Sequence, residues 1–227
     1  MNGVDSDPAT QRAAPRRWIV IVLIAVAIAA LSFAIGRFST FSATAPASAP
    51  GSSSPDAGFA RDMQAHHAQA IDMAMTIYRK TEDEDLRILA YDIATSQAEQ
   101  KGQMFDWLVK WGLTQSGGPM MAWMSGGQHA HGGASDQPMT AEQARVAMGM
   151  ASDAELAALA KATGPAADCL FLELMLRHHE GAIPMAEAML DLGSDPRALA
   201  VAESMRKGQR AEIEAMTSMQ SRLQCAT

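Results

Sequence analysis

The chain is poor in cysteine, in aromatic residues and in basic charge. Of 227 residues, two are cysteine and 5% are aromatic, and 18 Lys and Arg stand against 25 Asp and Glu. Two cysteines are the minimum for one disulfide, so Cys169 and Cys225 allow no more than one. Over 56–227 the balance is 14 basic against 23 acidic residues, a net of −9, with no basic stripe and no aromatic platform to relieve it. Such a surface repels phosphate backbones, which excludes nucleic acid as a partner. Catalytic templates are also missing. His179-Glu180 is followed by Gly181-Ala182-Ile183, so the zinc-protease pattern H-E-x-x-H lacks its second histidine. A di-iron centre needs Glu-x-x-His pairs, but Glu173 stands five residues before His178, and Asp62 stands four before His66. No Ser or Cys nucleophile stands out beside a base. The expectation is a binding protein rather than an enzyme.

One long hydrophobic run is present. Residues 1–17 are polar and end in Arg16-Arg17; Trp18 to Ile35 is apolar or small but for Ser32, and the run stops at Gly36-Arg37. Eighteen helical residues span roughly 27 Å, close to the hydrocarbon thickness of a bilayer. Residues 18–36 therefore read as a transmembrane anchor, and the excess of positive charge before it places residues 1–17 in the cytoplasm. Ala43-Thr44-Ala45 keeps a cleaved signal peptide open. On either reading the rest is extracytoplasmic: a single-pass protein of the cell membrane, or a secreted one after cleavage. Residues 37–57, rich in Ala, Ser and Pro, read as a linker, and 58–227 as one domain.

That domain contains a repeat. His66-His67 recurs as His178-His179, 112 residues later, within a shared pattern M-x-x-H-H-x-x-A-I-x-M-A. Repeat 1 covers 58–112, a Met/His/Gly loop with short helices covers 113–165, and repeat 2 covers 166–223. The spacing of Phe59, Met63, Ala70, Ile71, Ala74 and Ile77 predicts a helix over 59–78. A second helix is expected from about Asp83 to Trp111, with acidic residues in its first turn and Gly112 after its end. In the second copy, Asp168 is expected to cap a helix running to Leu192, with Gly164-Pro165 as the separator before it. Asp195-Pro196 starts the last helix. Thr140 with Gln143, and Ser152 with Glu155, read as capping boxes of two short helices. Gln115 to His131 is expected to form no regular element. Two hairpins with matching apolar faces bury them against each other, so the fold class is all-α, a four-helix bundle with pseudo-twofold symmetry. Cys169 and Cys225 then fall at neighbouring helix ends, where a disulfide is reasonable. Free thiols or copper ligands are the alternatives.

Adjacent helical residues point about 100° apart, so one histidine of each pair faces the bundle axis while the other meets a neighbouring helix or the rim. Met63, His66, Ala70 and Met73 form one stripe; Met175, His178, Ala182 and Met185 form its counterpart. Facing stripes would offer two imidazoles and up to four thioethers, donors for copper above all, with small alanines leaving room for an ion. The competing reading is a structural or signalling bundle in which the histidines are polar core residues and the methionines are filler. Gln97 and Gln209 are candidates to hydrogen-bond the ligand side chains from behind, or surface residues. Met120, Met121, Met124, His129 and His131, interleaved with glycine, read as a second, flexible chelator for Cu(I) or Cu(II). A homo-oligomer is left open.

The duplicated motif, with Gln and Met at fixed distances after it, resembles domain of unknown function 305, a ferritin-like four-helix family. The likeness covers about 56–223, and the connector Met148-Gly149-Met150-Ala151-Ser152 resembles its membrane-anchored actinobacterial branch. Some members of that family are associated with copper binding and resistance outside the cytoplasm. The resemblance implies copper ligation by His66, His67, His178, His179, Met63, Met73, Met175 and Met185, and no catalysis. Pro184, where the first copy has Asp72, is expected to kink its helix past the histidines and make the two half-sites unlike.

Overall fold

The computed structural model describes residues 49–126 and 139–225. The apolar run 18–36 lies outside them, and among the described residues no helix is long and apolar enough to cross a membrane. Residues 50–227 group as one compact unit. Its described part is all-helical: α1 (Pro55–Tyr78), α2 (Glu84–Lys110), a 3-10 turn (Ala122–Gly126), α3 (Ala141–Ala147), α4 (Asp153–Lys161), α5 (Gly164–Leu192) and α6 (Pro196–Arg222), with no strand among the described residues. α1 with α2, and α5 with α6, are two hairpins. They pack together chiefly through α1 against α5.

Local chemistry explains the boundaries. The hydroxyl of Ser54 accepts from the Ala57 amide, and Pro55 needs no donor in the first turn. α1 therefore starts three residues before the boundary at 58, shortening the linker read from composition. Asp83 caps α2 through the Leu86 amide, and Gly112, at φ 69°, follows its end. α5 starts earlier than expected. Gly164 and Pro165 form its first turn rather than a separator, and Asp168 is a buried residue within the helix, not its cap. Both capping boxes form as read. α5 runs through Pro184 as one helix from Gly164 to Leu192.

The loop after α2 departs most from expectation. Its Ala122–Gly126 turn docks Trp123 onto Gly58, where any Cβ would lie 2.4 Å from the indole. Asp62, one turn along α1, accepts from the Trp123 indole N–H at 2.9 Å and from the Met121 amide at 2.7 Å. Burial pushes the Asp62 carboxyl up from its usual value, against these two hydrogen bonds and the nearby Arg61 charge.

Ties at repeat-related positions close both ends of the bundle. Asp56, at the start of α1, accepts from the Ser194 amide and hydroxyl and the Asp195 amide in the α5–α6 turn, at 2.8 to 3.0 Å. Asp168, 112 residues later, sits beside Thr81 in the α1–α2 turn. Next to it, Cys169 and Cys225 form the disulfide, with Cα atoms 5.4 Å apart.

The interior divides into two apolar clusters. One holds Met63, Met104, Met148, Met185 and Met205; the other holds Met73, Met175, Met216, Phe171 and Ile77. Met63 precedes His66 and Met73 follows it, and in α5 the order is reversed. The histidines therefore lie in a polar layer between two hydrophobic cores.

Candidate metal centre

Four fully buried imidazoles make up that layer. His66 and His178 come together across the α1–α5 contact, with ring centroids 3.6 Å apart and planes 31° apart. His67 and His179 turn away from this pair. Each lies 6.3 Å, centroid to centroid, from its own sequence neighbour, at the same 50° tilt in both copies. His67 Nε2 lies 2.8 Å from Gln100 Oε1 on α2, and His179 Nε2 lies 2.7 Å from the Glu212 carboxylate on α6. Gln100 and Glu212 are themselves 112 residues apart. The repeat thus extends to the outer hydrogen bonds, with an amide in one copy and a carboxylate in the other. The same offset in the sequence could have revealed this pair, but the identities differ and the motif stops short of them.

The inner histidines are also unlike. His66 Nε2 donates to the carbonyl of Met148 at 2.9 Å, whereas both ring nitrogens of His178 lack a hydrogen-bond partner among the described residues. Burial, reinforced by the neighbouring imidazoles, holds His178 well below the usual histidine range. Burial likewise lowers His66 to about 3 and His67 to about 4, against the opposing hydrogen bonds from Met148 and Gln100. His66, His67 and His178 are therefore neutral at pH 7. His66 and His67 face an acceptor through Nε2, so each carries its proton there and a lone pair on Nδ1. The Nδ1 atoms of all four histidines are buried and unpartnered. Gln97, with both side-chain polar atoms, and Gln209 Oε1 are buried without partners as well. Neither glutamine is a surface residue. Buried polar atoms are nearly always satisfied, and leaving one unmade costs about 1–3 kcal/mol, so this density of orphans calls for an explanation.

The connector between the hairpins covers the layer as a strap. Gly149, at φ 69°, lies so close to α5 that a Cβ would stand 2.1 Å from the Arg177 carbonyl oxygen, and a Cβ on Gly181 would stand 2.1 Å from the Met148 carbonyl oxygen. The Gln69 amide clasps Ala151 on both sides, at 2.7 and 2.8 Å. Arg177 pairs with both oxygens of Glu155 at 2.8 Å and holds that carboxyl down near about 2. Lys80 reaches the carbonyls that end α4. A cleft of about 230 Å³ lined by Met150, Ala151, Glu155 and Arg177 opens beside the strap.

The donor set suits a soft ion. Among the described residues no three His, Cys, Asp or Glu side chains converge on one point, so a carboxylate-rich set is not assembled. What is assembled is an imidazole pair with lone pairs to spare. Met63 and Met185 lie in the cluster on one side and Met73 and Met175 in that on the other, all four buried. The stacked rings do not aim their lone pairs at one point, so a shared ion requires one ring to turn. The loop methionines do not form an open chelator. Met121 and Met124 are buried in the core beside Trp123, and Met120 packs against it. His129 and His131 lie outside the described residues.

The comparisons with known proteins bear on this layer. The family described as Domain of unknown function (DUF305) matches residues 56–220. A DUF305 protein from Streptomyces coelicolor, thought to be secreted, is 34% identical over 77% of this chain and 96% of its own, with a TM-score of 0.67. A DUF305 fragment from Deinococcus radiodurans is 34% identical over 74% of this chain and 96% of its own, with a TM-score of 0.60. CopM in its Cu(I)-bound form is 26% identical over 74% of this chain and 96% of its own, with a TM-score of 0.53; it has also been solved with Cu(II) and with silver bound. No curated protein matches the chain. The chain belongs to the DUF305 family.

Proposed function

We propose that this DUF305 protein is an extracytoplasmic copper-binding protein that sequesters or relays the ion, with copper as cargo rather than as a catalyst. The observation that carries the reading is the set of buried, unpartnered Nδ1 atoms around the 3.6 Å His66–His178 pair. His66 and His178 supply nitrogen, and the thioethers of Met63, Met185, Met73 and Met175 supply sulfur. Neutral imidazole and thioether together favour Cu(I), and imidazole alone also accepts Cu(II). His67 and His179 hold the layer in register through α2 and α6. Release of the Met148 carbonyl from His66 would let that ring's single proton move to Nδ1, placing its lone pair on Nε2 instead. The likeness to CopM, which binds copper and silver, supports the metal, and the Streptomyces relative supports export. The run 18–36 serves as the membrane anchor in this reading, and the bundle is of the ferritin-like type.

The test is a competition titration of the purified full chain with Cu(I) and with Cu(II), giving stoichiometry. One tightly held copper per chain is expected, with a rise in unfolding temperature on loading. No uptake at micromolar free copper would overturn the proposal. The outer hydrogen bonds His67–Gln100 and His179–Glu212 favour the second reading, a metal-free bundle with a polar core. That reading predicts the same unfolding temperature with and without copper.

A further inference from the structure

Four of the five large hydrophobic side chains exposed among the described residues lie on one stripe of α2. Ile88, Tyr91, Phe105 and Val109 are 55%, 51%, 52% and 56% exposed. They occupy the first and fourth positions of a seven-residue repeat, the pattern by which two helices pair. The places between them on the stripe are Thr95, Ala98 and Gly102, all exposed, and a Cβ at Gly102 would meet nothing within 4 Å. The opposite face of α2 is already committed to the core through Leu86, Ile93, Met104 and Leu108. Single exposed apolar residues are ordinary, but a seam along most of a helix roughly 40 Å long marks an interaction surface.

Charge selects the partner. One rim of the seam carries Asp85, Asp92, Glu99 and Asp106 at seven-residue intervals, and the other carries Arg87 and Lys101. In a parallel helix pair, a residue on one rim meets the opposite rim of the other helix five places further on. Arg87 then faces Asp92 of a second copy and Lys101 faces Asp106, each twice by symmetry. An antiparallel pair would set the two acidic rims against each other, Asp92 near Asp106 and Glu99 near Glu99. Large residues at both ends and small ones at the centre fit two helices that approach most closely at Ala98 and Gly102. We propose that α2 is a self-association seam, through which two copies of this chain pair in parallel about a twofold axis along the helices. This goes beyond metal binding and stands or falls separately from it.

Introduced cysteines test the seam, because both native cysteines are bonded to each other and none is free. In the full chain under mild oxidation, Thr95→Cys is expected to cross-link to itself, as is Ala98→Cys, since facing seam positions approach within disulfide reach. The dimer yield should exceed that of Glu173→Cys, an exposed position on α5, by about tenfold. Adding Phe105→Glu, at a half-exposed side chain, should abolish the link while helix content is unchanged. Linking of Ala98→Cys to Gly102→Cys, with neither Thr95→Cys nor Ala98→Cys linking to itself, would overturn the parallel arrangement. Yields at both seam positions no higher than at Glu173→Cys would overturn the seam.

Discussion

His66 has the same neighbours in sequence as His178 but not the same partner in space. One ring nitrogen of His66 is tied to a backbone carbonyl, whereas neither ring nitrogen of His178 makes a well-formed hydrogen bond among the described residues and only the His66 backbone interacts weakly with it. The motif showed that one histidine per helix faces the axis. It did not show the inequality, because the Met148 carbonyl arrives from a connector 82 residues away. Gln100 and Glu212 were missed for a related reason: each contacts its histidine from the other helix of the hairpin, and the two are chemically different. These buried rings make a pH prediction. In the unfolded chain each titrates near 6.5, whereas in the fold His66 and His67 titrate near about 3 and about 4. The unfolded state therefore binds more protons across that window. The stability these histidines confer is complete above pH 6.5 and is lost as pH falls toward the folded values, by up to about 1.4 kcal/mol per pH unit for each histidine. Asp62 and Asp168, whose carboxyls burial pushes up, work in the opposite sense. Urea midpoints measured from pH 7.5 to 4.5 should fall steeply, and less steeply for His67→Gln. Equal slopes would show that His67 is not held neutral by the fold.

At the scale of elements, helix starts were legible where a capping residue was recognised, as at Thr140, Ser152 and Asp195, while Asp83, read only as the start of an acidic first turn, proves to be the cap of α2. The reading failed at Asp168, a good cap by residue type. Pro165 suits a first turn, and the apolar face of α5 is already served by Ala167. It failed again in the glycine-rich loop, where composition suggested a free chain. There Gly58 and Asp62, both on α1, supply the seat and the acceptor that fix Trp123, and no local pattern in the loop announces a partner on another helix. The strap makes its own prediction. Gly181→Ala sets a methyl against the backbone of Met148 and Gly149, which cannot yield as a flexible side chain would. It should destabilise the fold by about 1–3 kcal/mol, read from the urea midpoint. Gly208→Ala, on α6 with nothing near its Cβ, should instead stabilise by about 0.5–1 kcal/mol. A neutral Gly181→Ala would show that the strap is not pressed on α5.

For the whole molecule, duplication is the organising fact. Two hairpins cannot bury their faces alone, so they meet through α1 and α5, and the element shared by both faces is the histidine layer. Antiparallel packing brings Met63 to the side of Met185 and Met73 to that of Met175, leaving the imidazoles between two methionine-lined cores. The Asp56 tie to the Ser194–Asp195 turn and the Cys169–Cys225 disulfide fix the opposite ends. The central claim is that the inner pair, and not the outer pair, supplies the nitrogen donors. Cu(I) competition titrations on His66→Leu/His178→Leu and on His67→Leu/His179→Leu, both checked for retained helix content, test it most directly. The inner double variant is expected to lose about a hundredfold or more in affinity, and the outer one about tenfold or less. Wild-type affinity in the inner variant, or a larger loss in the outer one, would contradict the account.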